Sequence, residues 1–225
     1  MKQELKDVLT GLSAIIIYLL FKYVFFFFSV LLNINPDKLS NTGKVIYNLS
    51  FELILLSIIV FIYHKTLKEH LKKFKKCHFI KYIRYWFIAL LLMTISNSLI
   101  DIFTHLKTAS NQQVVENNLF SNPLPTIFIV VLIAPLLEEL VYRLSFRKIF
   151  KTDTIFIILS GLFFGLMHMY NPSTLLEFIY IIPYSIPGFI FAYTLKKSKN
   201  IFVPVGLHMI HNGSMVLLQL FLLLK

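Results

Sequence analysis

Two glutamates and an arginine stand in an otherwise apolar run, Ala134-Pro135-Leu136-Leu137-Glu138-Glu139-Leu140-Val141-Tyr142-Arg143. Ionisable groups in apolar surroundings are costly, so each needs a partner or a task. On a helix, Glu139 and Arg143 are four residues apart with the acid first, the favourable order for an ion pair. Glu138 points about 100° away, so the same arginine cannot readily serve both acids. This assigns a structural pair to Glu139 and Arg143 and turns Glu138 toward a polar cavity. A carboxylate held out of bulk water there could act as a general base. The run alone also fits two glutamates that merely hold helices together.

Two further apolar runs carry imidazoles. Gly161-Leu162-Phe163-Phe164-Gly165-Leu166-Met167-His168 puts Phe164 and His168 one helical turn apart, and Gly161 and Gly165 form a small face for a close neighbour. A lone histidine at a helix end could equally be structural. Pro204-Val205-Gly206-Leu207-His208-Met209-Ile210-His211-Asn212 puts His208 and Asn212 on one face, with His211 rotated away. Two polar side chains aimed at one point could stabilise an oxyanion or bind a metal. Carboxylates, imidazoles and a carboxamide together suffice for water activation and oxyanion stabilisation. No serine or cysteine is paired with a base in a recognisable motif, so an acyl-enzyme is not expected.

The elements that position these residues are membrane helices. The 225-residue chain is 57% hydrophobic and 15% charged, with mean hydropathy +0.74. A soluble domain carries about 25% charged residues. The expected fold class is all-α: a polytopic membrane bundle of about seven transmembrane helices, forming a single domain over 1–225. The spans are expected near 8–33, 44–64, 84–106, 124–146, 153–171, 175–195 and 201–224, each near the ~20 residues a bilayer requires. The first is too long for a signal h-region and lacks a small-residue cleavage site, so it is read as a retained helix. These boundaries put His168 near the outer end of its span and Glu138 nearer the inner side. A fifth span that is tilted or shifted in depth would bring them together.

The net charge of +11 does not indicate a nucleic-acid partner, because the basic residues sit in short runs between apolar stretches. With the N-terminus cytoplasmic, seventeen of the 22 Lys and Arg residues fall in inside segments and four in outside ones. This asymmetry orients the chain, with the N-terminus in the cytoplasm and, for seven spans, the C-terminus outside. The run from Lys65 to Arg84 is expected along the inner leaflet, against anionic lipid. Cys77 lies in that run and is read as an ordinary thiol, with palmitoylation as the alternative. His64, His70 and His78 are expected to be solvated there. Glu52, Asp101 and Ser96-Asn97-Ser98 are expected to pack or line a cavity, and Glu177 to be interfacial. Pro183, Pro187 and Gly188 are expected to break or kink the sixth span. The abundance of Phe, Ile, Lys, Asn and Tyr points to an AT-rich bacterial genome.

Taken in order, Glu138-Glu139-x-x-x-Arg143, Phe164-x-x-x-His168 and His208-x-x-x-Asn212 resemble the three motifs of the CAAX-protease and bacteriocin-processing (CPBP, or Abi) family. The Ras-converting CAAX endopeptidase belongs to that family of intramembrane proteases. The resemblance covers about 124–215, the expected catalytic core. It implies that Glu138 and His168 activate the attacking water and that His208 and Asn212 stabilise the oxyanion. Glu139, Arg143 and Phe164 would be supporting residues, with Glu139 able to share in the chemistry. The implied substrate is a peptide or a membrane protein. The family is often labelled metalloprotease, yet a zinc site normally needs three or four His, Cys or carboxylate ligands. Only Glu138, His168 and His208 lie on the motif faces, so no cofactor is favoured and zinc is the alternative. A non-enzymatic bacteriocin-immunity or chaperone-like protein that keeps the fold is the second functional reading. A transporter would favour an inverted repeat, and none is seen.

The orientation has a direct test in a Cys77→Ser background. A cysteine placed within 65–82 should be shielded from an impermeant thiol reagent in intact cells, and one within 108–122 should be labelled. The reverse pattern would overturn it.

Overall fold

The computed structural model describes residues 2–74, 76–106, 108–169 and 172–223, without the side chains of Asp37, Lys76, Cys77, His78 and Leu223. Lys75, Lys107 and Lys225, which enter the charge asymmetry, lie outside the described residues, as do the side chains of Cys77 and His78. Among the described residues the chain is helical with no strand. Its helices are α1 (Lys2–Leu31), α2 (Asn41–Lys73), α3 (Lys76–Thr104), α4 (Ser110–Ser121), α5 (Pro123–Ile149), α6 (Asp153–Met167), α7 (Ile181–Ser198) and α8 (Phe202–Leu223). A 3-10 segment, Leu175–Tyr180, leads into α7.

Six of these are long and apolar enough to cross a membrane: α1, α2, α3, α5, α7 with its 3-10 lead, and α8. Large apolar side chains such as Phe26, Phe61, Phe87 and Phe103 stand exposed on the outside of the bundle. A contiguous apolar exterior suits lipid rather than water. The protein is a multi-pass membrane helical bundle.

The expected fifth span is shorter than read. α6 has 15 residues, about 22 Å at 1.5 Å per residue, against a hydrocarbon core of ~30 Å. It starts beside the ends of α5 and α7, where Asp153 meets Arg147 at 2.8 Å and Lys196 at 3.2 Å. It stops within the bundle, so His168 comes to lie at the depth of the site. At the opposite end Glu177 accepts from the backbone amides of Ser110, at 3.1 Å, and Ser173, at 3.2 Å. Glu177 is thus covered by the protein at that end of the bundle, and it caps the first turn of α4. α4 lies between the expected third and fourth spans.

The basic segment is largely helical among its described residues. α2 runs to Lys73 and α3 begins at Lys76, so most of the described part of the segment 65–84 is helix that extends α2 and α3. Lysine is a good helix former, so the two helices continue through the basic residues. His70 is not free in solvent. Its Nδ1 accepts from the Ile201 amide at 3.1 Å, and its carbonyl accepts from Asn200 Nδ2 at 2.7 Å. The α7–α8 turn is thereby tied to α2 at the basic end.

Pro183 and Pro187 do not break α7. Pro183 falls in the first turn, where a missing N–H costs little, and the helix continues through Pro187. α6 and α7 make the most extensive contact in the bundle, and small residues set it. A Cβ built on Gly188 would meet Gly161 O at 2.8 Å and Gly161 Cα at 2.9 Å. One built on Gly165 would collide with Ser185 Oγ and meet Ile181 O at 2.8 Å. Backbone stands against backbone, so neither neighbour can swing aside. α1 approaches α5 in the same way through Gly11, whose Cβ would meet Ser145 O at 2.7 Å.

Gly188→Ala should cost about 1–3 kcal/mol by overpacking, read as a lower thermal midpoint in detergent and less monodisperse protein. Gly213→Ala is the control, because its Cβ would make an ordinary 3.6 Å contact with Val131. Equal stability of the two variants would contradict the close crossing.

Candidate active site

α5 carries the glutamates, and it is not a uniform α-helix. Two stretches, Ile129–Ile133 and Glu139–Ser145, are π-helical. Pro135 explains part of this. It has no N–H, so an upstream carbonyl loses its donor. In the wider π register that carbonyl is Val130 O, five residues back. Asn212 replaces the missing donor, giving Nδ2–H to Val130 O at 2.8 Å. The second π stretch is served likewise. Ser160 Oγ donates to Tyr142 O at 2.6 Å, and Ser145 Oγ to Leu140 O at 3.2 Å. In hydrocarbon every backbone carbonyl needs such a partner, and side chains supply them where the helix does not.

Glu139 is fully buried and serves two partners. Its Oε2 lies 3.1 Å from Arg143 Nε, with both side chains at 0% exposure. Its Oε1 lies 3.0 Å from His208 Nδ1. An ionised carboxylate can only accept, so His208 carries its proton on Nδ1. The expected Glu139–Arg143 pair is therefore present, and a histidine from α8 completes it. Arg143 also reaches Ser160 Oγ at 3.4 Å, and its guanidinium lies 4.6 Å from the Phe164 ring centroid. That cation–π contact replaces part of the lost hydration.

Glu138 sits on the other side of the same imidazole. Its Oε2 lies 3.9 Å from His208 Nε2, beyond hydrogen-bond length. That oxygen is buried and has no hydrogen-bond partner among the described residues. An orphaned carboxylate oxygen facing an imidazole nitrogen marks where a proton-bearing group is wanted. His168 reaches this centre through rings. Its Nδ1–H donates to Phe164 O at 2.8 Å, which satisfies a C-terminal carbonyl of α6. Its ring stacks on Tyr184 at 4.6 Å and contacts Phe164 at 4.5 Å, and Phe164 lies 5.5 Å from His208. Phe164 is thus the packing joint between the two imidazoles. The structure brings Glu138, Glu139, Arg143, Phe164, His168 and His208 into one cluster, with Asn212 one helical turn beyond His208.

Several residues of this cluster escaped the sequence reading. Ser160 and Ser145 hold π carbonyls, and Tyr63 of α2 is 2.7 Å from Ser145 Oγ. Tyr18 of α1 packs edge-on against Tyr142 at 5.5 Å. A hydroxyl inside a span was the only available signal, and it does not name a partner. Among the described residues no group of three or more His, Cys, Asp or Glu side chains is placed to hold a metal ion.

Comparison with known proteins agrees with the motifs. Residues 120–214 match the family described as type II CAAX prenyl endopeptidase Rce1-like. YdiL of Bacillus subtilis (strain 168), a membrane peptidase by name alone, is 27% identical over 139 residues, which cover 60% of this chain and 54% of YdiL. The chain thus spans about half the length of that curated relative. No solved structure matches the chain. Residues 120–214 of this multi-pass membrane protein, the segment that carries the three motifs, are thus similar to the CAAX prenyl endopeptidase family.

Proposed function

We propose that the chain is an intramembrane endopeptidase that hydrolyses a peptide bond with water activated by Glu138 and His168. The observation that carries this reading is the His208 ring held between Glu139 at 3.0 Å and Glu138 at 3.9 Å. A water placed beside Glu138 would give it a proton as its oxygen attacks the scissile carbonyl. His168, with Nδ1 committed to Phe164 O, keeps Nε2 as the acceptor that orients the water. Glu138 would then pass the proton to the leaving amine. His208 and Asn212 would face the developing oxyanion. Asn212 can do so with its second N–H, since the first is held by Val130 O. His208 can donate from Nε2 once protonated, and Glu139 supports that charge from Nδ1.

The reading is metal-free, and the absence of three converging donors among the described residues supports it. The substrate is a peptide or a membrane protein. The lysines at the tip of the α2–α3 hairpin are assigned to anionic lipid, with the basic end cytoplasmic.

Glu138→Gln and His168→Ala should each abolish peptide cleavage by purified protein while leaving it folded in detergent. Asn212→Ala should lose about 10²–10³ in rate, the scale of one oxyanion donor, together with some stability from the uncovered Val130 carbonyl. Glu139→Gln should act mainly on folded yield, because breaking a buried ion pair costs about 3–5 kcal/mol. A chelator should leave activity unchanged. Loss of activity with chelator and recovery with stoichiometric zinc would overturn the metal-free reading and make Glu139 the better candidate for the base. Full function in the Glu138→Gln variant would favour the non-enzymatic alternative.

A further inference from the structure

A cleft of about 310 Å³ opens between α2, α4 and α5, at the end of the bundle opposite the basic hairpin. Asn41, Lys44 and Asn48 of α2 form one wall, and Asn118, Asn122 and Val130 stand on the other. The side chains of the four asparagines make no hydrogen bond to any described residue. Each therefore offers an unused amide donor and acceptor, at a place where most of the bundle surface is apolar. Lys44 is the one charged residue on the described walls, and it makes no ion pair there. The first turns of α2 and α5 also lie at this cleft, and helix N-termini add positive potential.

Two of the helices that line the cleft run on to the cluster. Asn41, Lys44, Asn48 and Glu52 recur at three- and four-residue spacing, one face of α2 that continues inward as the buried Leu55, Ile59 and Tyr63. Glu52 lies within electrostatic reach of Glu138. On the opposite wall Val130 is the residue whose carbonyl holds Asn212. Val130 and Glu138 are eight residues apart on α5, about 12 Å at helical rise. An extended peptide covers that distance in about four residues at ~3.3 Å each.

Resting on the endopeptidase reading, we propose that this cleft is a substrate subsite. It binds an extended polar segment about four residues from the scissile bond and selects an acidic side chain there. The asparagine amides pair with the segment's main chain, and Lys44 with its carboxylate. The volume is at the lower limit of small-ligand sites, roughly 300–1,000 Å³, which suits a few residues and not a folded domain.

The test uses the full chain in lipid nanodiscs and a library of randomised dodecapeptides. In wild-type protein, cleaved peptides should be enriched about tenfold in Asp or Glu at one position about four residues from the cut. Lys44→Glu should reverse that preference to Lys or Arg while leaving the cleaved position unchanged, a result that a merely structural role would not produce. Asn48→Leu should raise KM about tenfold for long peptides, leave kcat unchanged and leave KM unchanged for peptides cut to two residues on each side of the bond. A preference absent in wild type, or one unmoved by Lys44→Glu, overturns the subsite. The same library is also bound to Glu138→Gln protein and the retained peptides sequenced, so that the two readings fail separately. Charge-reversible enrichment on that protein, with no cleavage by wild type, keeps the cleft and overturns the endopeptidase. Cleavage with no charge-reversible selection does the opposite.

Discussion

The buried carboxylate of Glu139 is the constraint on which the centre of this bundle depends. It has no water to fall back on, and it must satisfy two cationic or proton-bearing partners at once. Arg143, one turn along the same helix, cannot leave, because its side chain is itself fully buried. His208 must come from α8, with its Nδ1 aimed at the remaining oxygen. This one contact sets the rotation of α8 against α5 and orients the imidazole. The face of His208 that remains is the Nε2 edge, and it points at Glu138. Two adjacent glutamates thereby acquire different situations from a single arginine. One is locked in a charge network, and the other is left with an unpaired oxygen.

The backbone of α5 follows a related logic. A membrane interior tolerates irregular helix only where other groups replace the missing hydrogen bonds. Pro135 and the two π stretches create such vacancies, and Asn212, Ser160 and Ser145 fill them. Asn212 therefore has a structural duty beside the role the family resemblance implies. Its substitution combines two effects, which a rate measurement alone does not separate. The short α6 belongs to the same scheme. Ending it at Met167 turns His168 Nδ1 back onto Phe164 O and brings its ring against Tyr184, within the bundle instead of at the membrane surface.

The sequence by itself determined whatever depends on composition or on spacing within one helix. Six of the seven expected spans are long apolar helices, because about twenty apolar residues in a row have few other solutions in a bilayer. The Glu139–Arg143 pair was legible because its partners are four residues apart on one helix. The close face of Gly161 and Gly165 was legible for the same reason, although its partners Gly188 and Ser185 were not. α4 and the helical tip of the basic hairpin went unread. Polar helix and polar loop share a composition, and neither is marked by a hydrophobic period.

Tertiary structure alone decided which distant groups meet. Glu139 and His208 are 69 residues apart, Asn212 and Val130 82, and Tyr63 and Ser145 also 82. Each contact is a side-chain hydrogen bond across helices, and such bonds follow from interhelical rotation and depth. Hydropathy fixes neither quantity, since lipid is as apolar as the side chains it would have to distinguish. The length of α6 was hidden for the same reason, because an apolar residue beyond a helix end reads like one within it. Glu177 shows the limit from the other side. Its position in the sequence gives no sign of burial, and only the start of α4 and the residues before Leu175, folded over it, supply the two backbone N–H donors that allow it.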